Sequence, residues 1–387
     1  MSGSRHYLDY NASAPLHPRA RHAMLAAFDV GGNPSSVHRE GREARAIIET
    51  ARAEIAALVG SRAADVVFVS GGTEAANLAL SPRFLSTGGR DFDVLLIGAG
   101  EHPCVLTGHR FPAECVQHVA LGADGQLNLA HLEDLLGGLN GARALLALQI
   151  ANNETGVVQP VQAAAALMRA AGGTTLCDGV QGLGKMALDI EALGVEAMFL
   201  SAHKIGGPKG VGALVMKRNF VPQIDPLLRG GGQERGLRAG TENVAGIAGF
   251  GAAAKVAGET LTGEALRLAG LRDRFESELA TIAPQAVIFG QSATRLPNTS
   301  AFAVPGLPAQ TALMGLDLAG VAVSSGSACS SGKVRRSHVL EAMGVAPDLA
   351  EGALRVSFGW GSDYEDVQAL IGAAAPLVAK ASAKRAA

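Results

Sequence analysis

Short apolar segments alternate with helical patterns over the first two thirds of the chain. Six mostly apolar runs, each long enough for a buried strand, lie at 65–69, 94–97, 144–148, 174–177, 197–200 and 211–215. Apolar residues at helical spacing occupy 18–28, 44–58 and 162–171, and Gly60 provides a stop after the second of these stretches. Alternating strands and helices predict an α/β fold with a mostly parallel sheet covered by helices.

The pattern changes near residue 256, where this alternation ends. A long helical stretch over 264–282 is followed by strand-like segments at 287–289 and 299–304, which is typical of a smaller α+β domain. A chain of 387 residues is long enough for two domains. We expect a large domain over 15–255 and a small domain that combines 1–14 with 256–387.

The composition indicates a large core and argues against a polyanionic ligand. Apolar residues make up 48% of the chain and charged residues 18%, with a net charge of −2, so direct binding of nucleic acid is not expected. The four cysteines show no Cys-x-x-Cys spacing, so neither a disulfide scaffold nor a zinc or other metal site is expected. The polar N-terminus and the lack of a long apolar run predict a cytoplasmic protein without a membrane span.

Lys204 follows the apolar run at 197–200 and precedes a glycine-rich turn. A lysine forms Schiff bases with carbonyl compounds once its amine is neutral. Asp178 comes directly after the run at 174–177, where its carboxylate could keep a pyridine nitrogen protonated. A lysine for the aldehyde and an aspartate for the ring nitrogen are the minimum that pyridoxal 5′-phosphate requires of a protein.

Several polar side chains follow predicted strands. Ligands of open α/β sheets bind in a crevice at the carboxyl ends of the strands. We therefore expect one site that collects His102, Asn153, Asp178, Ser201, His203 and Lys204. The strand over 65–69 runs directly into Ser-Gly-Gly-Thr at 70–73 and then into a helix, a pattern that binds anions through backbone N–H groups and the helix dipole.

Ten short segments together resemble the cysteine desulfurases of the NifS/IscS type, within the fold-type-I, class V aminotransferase-like enzymes. They lie in the same order as in the family, at 8–12, 33–38, 70–77, 101–102, 152–156, 178–181, 201–210, 230–243, 324–330 and 354–358. Each segment is weak evidence alone, but ten in order are specific. The resemblance implies a large domain with a mainly parallel seven-stranded sheet and a smaller α+β domain.

The resemblance also implies how pyridoxal 5′-phosphate would be held. Lys204 would form the Schiff base, and Asp178 would face the protonated pyridine nitrogen. His102 would stack on the ring and help to move protons, while Asn153 and Gln181 would contact the ring hydroxyl.

The remaining implied roles concern the phosphate and the substrate. The phosphate would be bound by Gly72, Thr73, Ser201 and His203. Thr241 would reach the phosphate of the neighbouring subunit, which implies a homodimer with shared sites. Arg355 would hold the carboxylate of L-cysteine in a bidentate fork, assisted by Asn11 and Asn153.

Cys329 lies in a loop over 323–332 that is rich in serine and glycine, whereas Cys104, Cys115 and Cys177 are expected in the core. A thiolate on such a loop could meet a substrate inside the site and an acceptor outside it. The resemblance implies that Cys329 acts with Lys204 and His102 as a catalytic residue: it takes the sulfur of L-cysteine as a persulfide, and alanine is released.

Other functions fit the same residues. A selenocysteine lyase or a small-substrate aminotransferase would share this fold, although an aminotransferase needs no loop cysteine. A sulfur-carrier or scaffold subunit could keep the fold without catalysis, but the full set of chemical residues argues against it. The resemblance implies a sulfur-acceptor protein, and the sequence leaves open whether it serves iron–sulfur clusters, nitrogenase maturation or tRNA thiolation.

Overall fold

The computed structural model describes residues 5–84, 90–220, 223–325 and 336–386, without the side chains of 384–386. The helices in these ranges are α1 (Pro18–Phe28), α2 (Arg39–Leu58), α3 (Gly72–Ala79), α4 (Pro103–Leu106), α5 (Leu129–Gly137), α6 (Val161–Ala170), α7 (Ile190–Leu193), α8 (Val244–Ile282), α9 (Ala309–Leu318), α10 (His338–Ala342), α11 (Pro347–Glu351) and α12 (Tyr364–Ala386). The strands are β1 (His6–Tyr7), β2 (Val66–Val69), β3 (Val94–Gly98), β4 (Val116–Val119), β5 (Ala144–Gln149), β6 (Thr174–Asp178), β7 (Ala197–Ser201), β8 (Gly212–Met216), β9 (Val287–Ile288), β10 (Thr299–Ala303), β11 (Val321–Ala322) and β12 (Leu354–Ser357).

A seven-stranded sheet forms the middle layer of the larger part of the molecule. Its strand order is β2-β8-β7-β6-β5-β3-β4, and within this sheet β8 alone runs antiparallel to its neighbours. The central strands are almost wholly apolar because helices cover both faces of the sheet. The predicted α/β fold with a mainly parallel seven-stranded sheet is confirmed.

Helix α2 shows how the apolar spacing becomes packing. It buries Ala44, Ile48, Ala51 and Ile55, which lie on one face of the helix and pack toward the sheet and α8. Gly251 of α8 permits a close approach, since a Cβ at this position would lie 2.5 Å from the Cα of Ala51. A larger residue at 251 would push the two helices apart.

Helix α8 is one continuous helix of 39 residues, and the prediction that it begins at 264 is wrong. It begins at Val244, where the Asn243 side chain accepts a hydrogen bond from the Gly246 N–H at 3.0 Å. Its first turns consist mainly of small residues that are buried all round, so they show no apolar stripe. None of the helices within the described ranges has both the length and the apolar character needed to cross a membrane.

The smaller part combines the antiparallel sheet β12-β10-β9 with the parallel pair β1-β11. Its core gathers Phe275 from α8, Phe302 from β10 and Phe358 after β12. The N-terminal segment joins this part through β1 and through a bridge between Asp9 and Ser357. The domain limits 15–255, 1–14 and 256–387 stay a prediction, since α8 crosses residue 255 without a break.

Candidate active site

A cavity of about 490 Å³ opens at the carboxyl edge of the central sheet. Strands β5, β6 and β7 end beside it in Gln149, Asp178 and Ser201, as expected for ligand sites of parallel sheets. Nine residues predicted from the sequence line the cavity, namely Gly72, Thr73, His102, Asn153, Asp178, Gln181, Ser201, His203 and Lys204.

Lys204 places its amine in this cavity. It lies in a short 3₁₀ turn directly after β7, and its Nζ donates to the backbone oxygens of Asn11 at 2.6 Å and Ala12 at 2.9 Å. Burial, and after it the positive charge of Arg355, lowers the pKa of Lys204 to about 8. The neutral amine, which is the form that reacts with carbonyls, is therefore far more abundant than at an ordinary lysine.

Asp178 is buried at the end of β6 and lines the same cavity, and it has no ion-pair partner within 4 Å in the described part of the chain. Its Oδ1 accepts a hydrogen bond from the Val180 N–H at 2.9 Å. Burial raises the pKa of Asp178 to about 6, although this hydrogen bond and the charge of Lys204 partly oppose the increase. A cationic group of a ligand would relieve this cost.

His102 caps the short helix α4 and faces the cavity. Its Nδ1 accepts a hydrogen bond from the Cys104 N–H at 3.1 Å, so we assign the proton of the neutral ring to Nε2. The ring is exposed to the open cavity, yet the surrounding protein removes much of its bulk water, and this desolvation, followed by the charge of Lys204, lowers the pKa of His102 to about 4. A neutral imidazole with an exposed face suits stacking against an aromatic ring.

The first turn of α3 provides an open anion cradle. A Cβ at Gly71 would meet no atom within 4 Å, so there is open space in front of Gly71. A Cβ at Gly72 would lie 3.0 Å from Val180 Cγ2, so the protein is packed tightly against Gly72. Ser201 and His203 line the same region. His203 Nδ1 lies 3.1 Å from Ser13 Oγ, and burial lowers the pKa of His203 to about 4.

Arg355 lies behind the cavity rather than in its lining. Its Nη1 donates to the backbone oxygen of Asn153 at 2.8 Å, and its Nη2 donates to Asp9 Oδ1 at 2.7 Å. The side chain is buried, and its Nε has no acceptor among the described residues. The predicted contact of Arg355 with a substrate carboxylate stays a prediction.

Asn11 is also buried and does not line the cavity. It contacts Lys185, a residue that the sequence analysis did not predict for the site. The Nζ of Lys185 donates to Asn11 Oδ1 at 3.1 Å and to Gln181 Oε1 at 2.8 Å. Burial lowers the pKa of Lys185 well below its usual range. The only signal in the sequence is that Lys185 lies four positions after Gln181. Many surface lysines have such a spacing from a polar residue, so it does not predict a buried lysine at the site.

The remaining predicted residues lie elsewhere. Thr241 is exposed in the loop before α8, and Cys329 lies outside the described residues, so their roles stay predictions. Cys177 is buried as expected, whereas Cys104 and Cys115 are only partly buried and pack against the edge of the core. Cys104 lines the cavity, and burial raises its pKa, which keeps it a thiol.

Comparisons with known proteins agree with this geometry. Residues 6–370 match the aminotransferase class-V family. A cysteine desulfurase of Frankia sp. (strain EuIK1) is 40% identical over 97% of this chain and 90% of its own. The X-ray structure of a NifS-like protein from Rickettsia africae is 34% identical and covers 96% of this chain and 99% of its own, with a TM-score of 0.87. A structure of SspA in complex with cysteine is 27% identical and covers 91% of this chain and 98% of its own, with a TM-score of 0.75. The chain belongs to the aminotransferase class-V family, among its cysteine desulfurases.

Proposed function

We propose that this cysteine desulfurase binds pyridoxal 5′-phosphate, converts L-cysteine to L-alanine and receives the sulfur on Cys329 as a persulfide. The observation that supports this proposal most strongly is one cavity that holds the Lys204 amine, the unpaired Asp178 carboxylate and the open first turn of α3. Class-V aminotransferases are pyridoxal-phosphate enzymes, and the site offers a group for each part of that cofactor.

The donor set of the cavity fits the cofactor at both ends. Asp178 would pair with the ring nitrogen, Lys204 would meet the aldehyde, and the space in front of Gly71 would take the phosphate. Further contacts are proposed for Thr73, His102, Asn153, Gln181, Ser201 and His203. When bound, the cofactor supplies an aldehyde that captures amines and a ring that withdraws electrons from the adjacent carbon.

Different side chains of the site would then bind the substrate and transfer protons. The neutral Lys204 amine takes the proton from the Cα of L-cysteine, as its lowered pKa allows. Arg355 holds the substrate carboxylate, with Asn11 and Asn153 in support. His102 receives a proton beside the ring.

Cys329 completes the reaction by nucleophilic attack. Its thiolate attacks the sulfur of the bound cysteine, so an S–S bond forms and the bond between that sulfur and the substrate Cβ breaks. The electron pair of the broken bond stays with the carbon, which takes a proton and becomes the methyl group of alanine. The persulfide then passes to a sulfur-acceptor protein, for iron–sulfur cluster assembly or another sulfur pathway.

Cys329→Ala tests this assignment. The variant should keep the visible absorbance of bound cofactor but form no alanine from L-cysteine, whereas the control Cys115→Ala, whose cysteine does not line the cavity, should keep both. Unchanged alanine formation in Cys329→Ala would remove Cys329 from the mechanism. A colourless wild-type protein that takes up no added cofactor would refute the proposal as a whole.

The homodimer and the reach of Thr241 into the partner's site are also proposed. Thr241 is exposed, and so are the apolar side chains of Leu25, Phe28 and Val37 on α1 and the loop after it, which a second copy could cover. Subunits with Thr241→Ala and subunits with Lys204→Ala should regain activity when mixed, because one site of the mixed dimer then has both residues. No recovery in confirmed mixed dimers would place Thr241 in its own subunit's site.

A further inference from the structure

Lys185 is a buried amine that the proposed reaction does not use. It is 6% exposed, and its Nζ donates to two uncharged oxygens, Gln181 Oε1 and Asn11 Oδ1. In the described part of the chain it forms no ion pair with a carboxylate. A neutral amine has two N–H groups and matches these two acceptors, whereas an ammonium would bury a third N–H without a partner.

This amine and the Asn11 backbone oxygen together fix the orientation of the Gln181 amide. The Nε2 of Gln181 donates to the Asn11 backbone oxygen at 3.1 Å, and its Oε1 accepts from Lys185 at 2.8 Å. A reversed amide would place Oε1 against the Asn11 backbone oxygen, which is a repulsive contact, and the Lys185 N–H that now donates to Oε1 would lose its acceptor. One N–H of Nε2 then remains without a partner among these contacts, on a side chain that lines the cavity.

The same contacts reach the Lys204 amine. The Asn11 backbone oxygen that accepts from Gln181 Nε2 also accepts from Lys204 Nζ at 2.6 Å. The Asn11 side chain, which accepts from Lys185, is fixed in addition by its Nδ2, which donates to Thr299 Oγ1 at 2.9 Å. Lys185 is therefore connected to the cavity mainly through Gln181, because Asn11 keeps other partners if the amine is removed.

We infer that Lys185 is a positioning residue that locks the Gln181 amide with its NH₂ group toward the cavity, where it donates to the ring oxygen of the cofactor. The inference deepens the proposed function and rests on it. Without Lys185, Gln181 Oε1 would lose its buried donor, so the contact of Nε2 with the Asn11 oxygen alone would hold the amide and the N–H that faces the cavity would be placed less precisely. The site would then bind the cofactor less tightly. The difference in affinity between the cofactor and an analogue without a free ring hydroxyl would also become smaller.

A double-mutant cycle tests this inference on cofactor-free protein. The dissociation constant of pyridoxal 5′-phosphate is measured by equilibrium ultrafiltration for wild type, Lys185→Met, Gln181→Met and the double variant. We expect Lys185→Met to weaken binding about tenfold, the size of one lost hydrogen bond, and to add less than about twofold when Gln181 is already methionine. A purely structural role of Lys185 would weaken binding by the same factor in both backgrounds.

Control variants distinguish loss of the Gln181 contact from loss of the fold and from failure of the proposed function. Lys255→Met removes an exposed lysine of α8 that pairs with Glu54 of α2 and does not line the cavity, and it should leave the dissociation constant unchanged. If Lys185→Met fails to melt cooperatively, the cycle is repeated with Lys185→Gln, which keeps a side-chain donor and should weaken binding by a smaller factor than Met. Unchanged affinity in Lys185→Met, or equal losses in both backgrounds, would overturn the inference. A wild-type protein that binds no cofactor would instead refute the proposed function.

Discussion

Asp178→Asn tests whether the Asp178 carboxylate is buried without a cationic partner until a cationic ligand binds. Asparagine has nearly the same shape and keeps an oxygen that can accept from the Val180 N–H, but it carries no charge. An ionised carboxylate that is buried without a cation costs folding free energy. We therefore expect the substitution to stabilise the cofactor-free protein while it abolishes alanine formation.

The magnitude follows from the pKa of Asp178, which burial raises from 3.8 to about 6. A difference of about two units corresponds to about 3 kcal/mol of folding free energy. The folded state binds the proton of the Asp178 carboxyl group more tightly than the unfolded state does. Protonation of Asp178 therefore stabilises the folded state fully below pH 3.8, and this stabilisation is lost as the pH rises through about 6. Asp178→Asn should therefore match wild type near pH 4 and exceed its stability by about 3 kcal/mol above pH 6.

Calorimetric unfolding of the cofactor-free proteins between pH 4 and pH 8 measures this difference. If the 387 residues unfold as one unit, 3 kcal/mol corresponds to a Tm increase of about 4 °C. The matched control Asp134→Asn changes an exposed aspartate on α5 and should shift the Tm by less than about 1 °C at any of these pH values. A Tm of Asp178→Asn equal to or below that of wild type at pH 7 would refute the reasoning.

Three further predictions follow from the same contacts. Acylation of Lys204 in the cofactor-free protein should be half-maximal near pH 8, because burial lowers its pKa to about 8, and a midpoint near 10.5 would indicate an unperturbed amine. Arg355→Lys should raise KM for L-cysteine by on the order of tenfold with a smaller change in kcat, because lysine cannot form a bidentate fork; an unchanged KM would exclude the contact. Arg52→Met should lower the free energy of unfolding in urea by about 3–5 kcal/mol, because it leaves Glu234, bound through two contacts of 2.8 Å, buried without its partner. A loss below about 1 kcal/mol would show that this ion pair contributes little.

The sheet and the centre of the site could be predicted because they depend on local signals. Strands such as β6 and β7 are continuous apolar runs, and the residues that follow them, Asp178 and Lys204, must meet at the carboxyl edge of a parallel sheet. The Gly-Gly-Thr turn after β2 is local in the same sense. Topology alone therefore brings nine predicted residues into one cavity.

The parts that the sequence did not predict depend on contacts between distant segments. The start of α8 is buried all round by small residues, so it has no amphipathic period to detect. Lys185 is placed behind the site by Asn11, which is 174 positions away in the chain. Likewise, no local pattern pairs Arg355 with Asp9 across 346 positions. Such pairings follow from tertiary packing rather than from residue spacing.

Transfer of sulfur to Cys329 is the central step of the proposed reaction. A single-turnover reaction of the holoenzyme with sulfur-labelled L-cysteine, quenched with a thiol-blocking reagent and analysed by peptide mass spectrometry, measures this step directly. We expect one alanine per active site and one labelled sulfur atom on the peptide that carries Cys329. Label on Cys104, or alanine formed while Cys329 stays an unmodified thiol, would contradict sulfur transfer to Cys329.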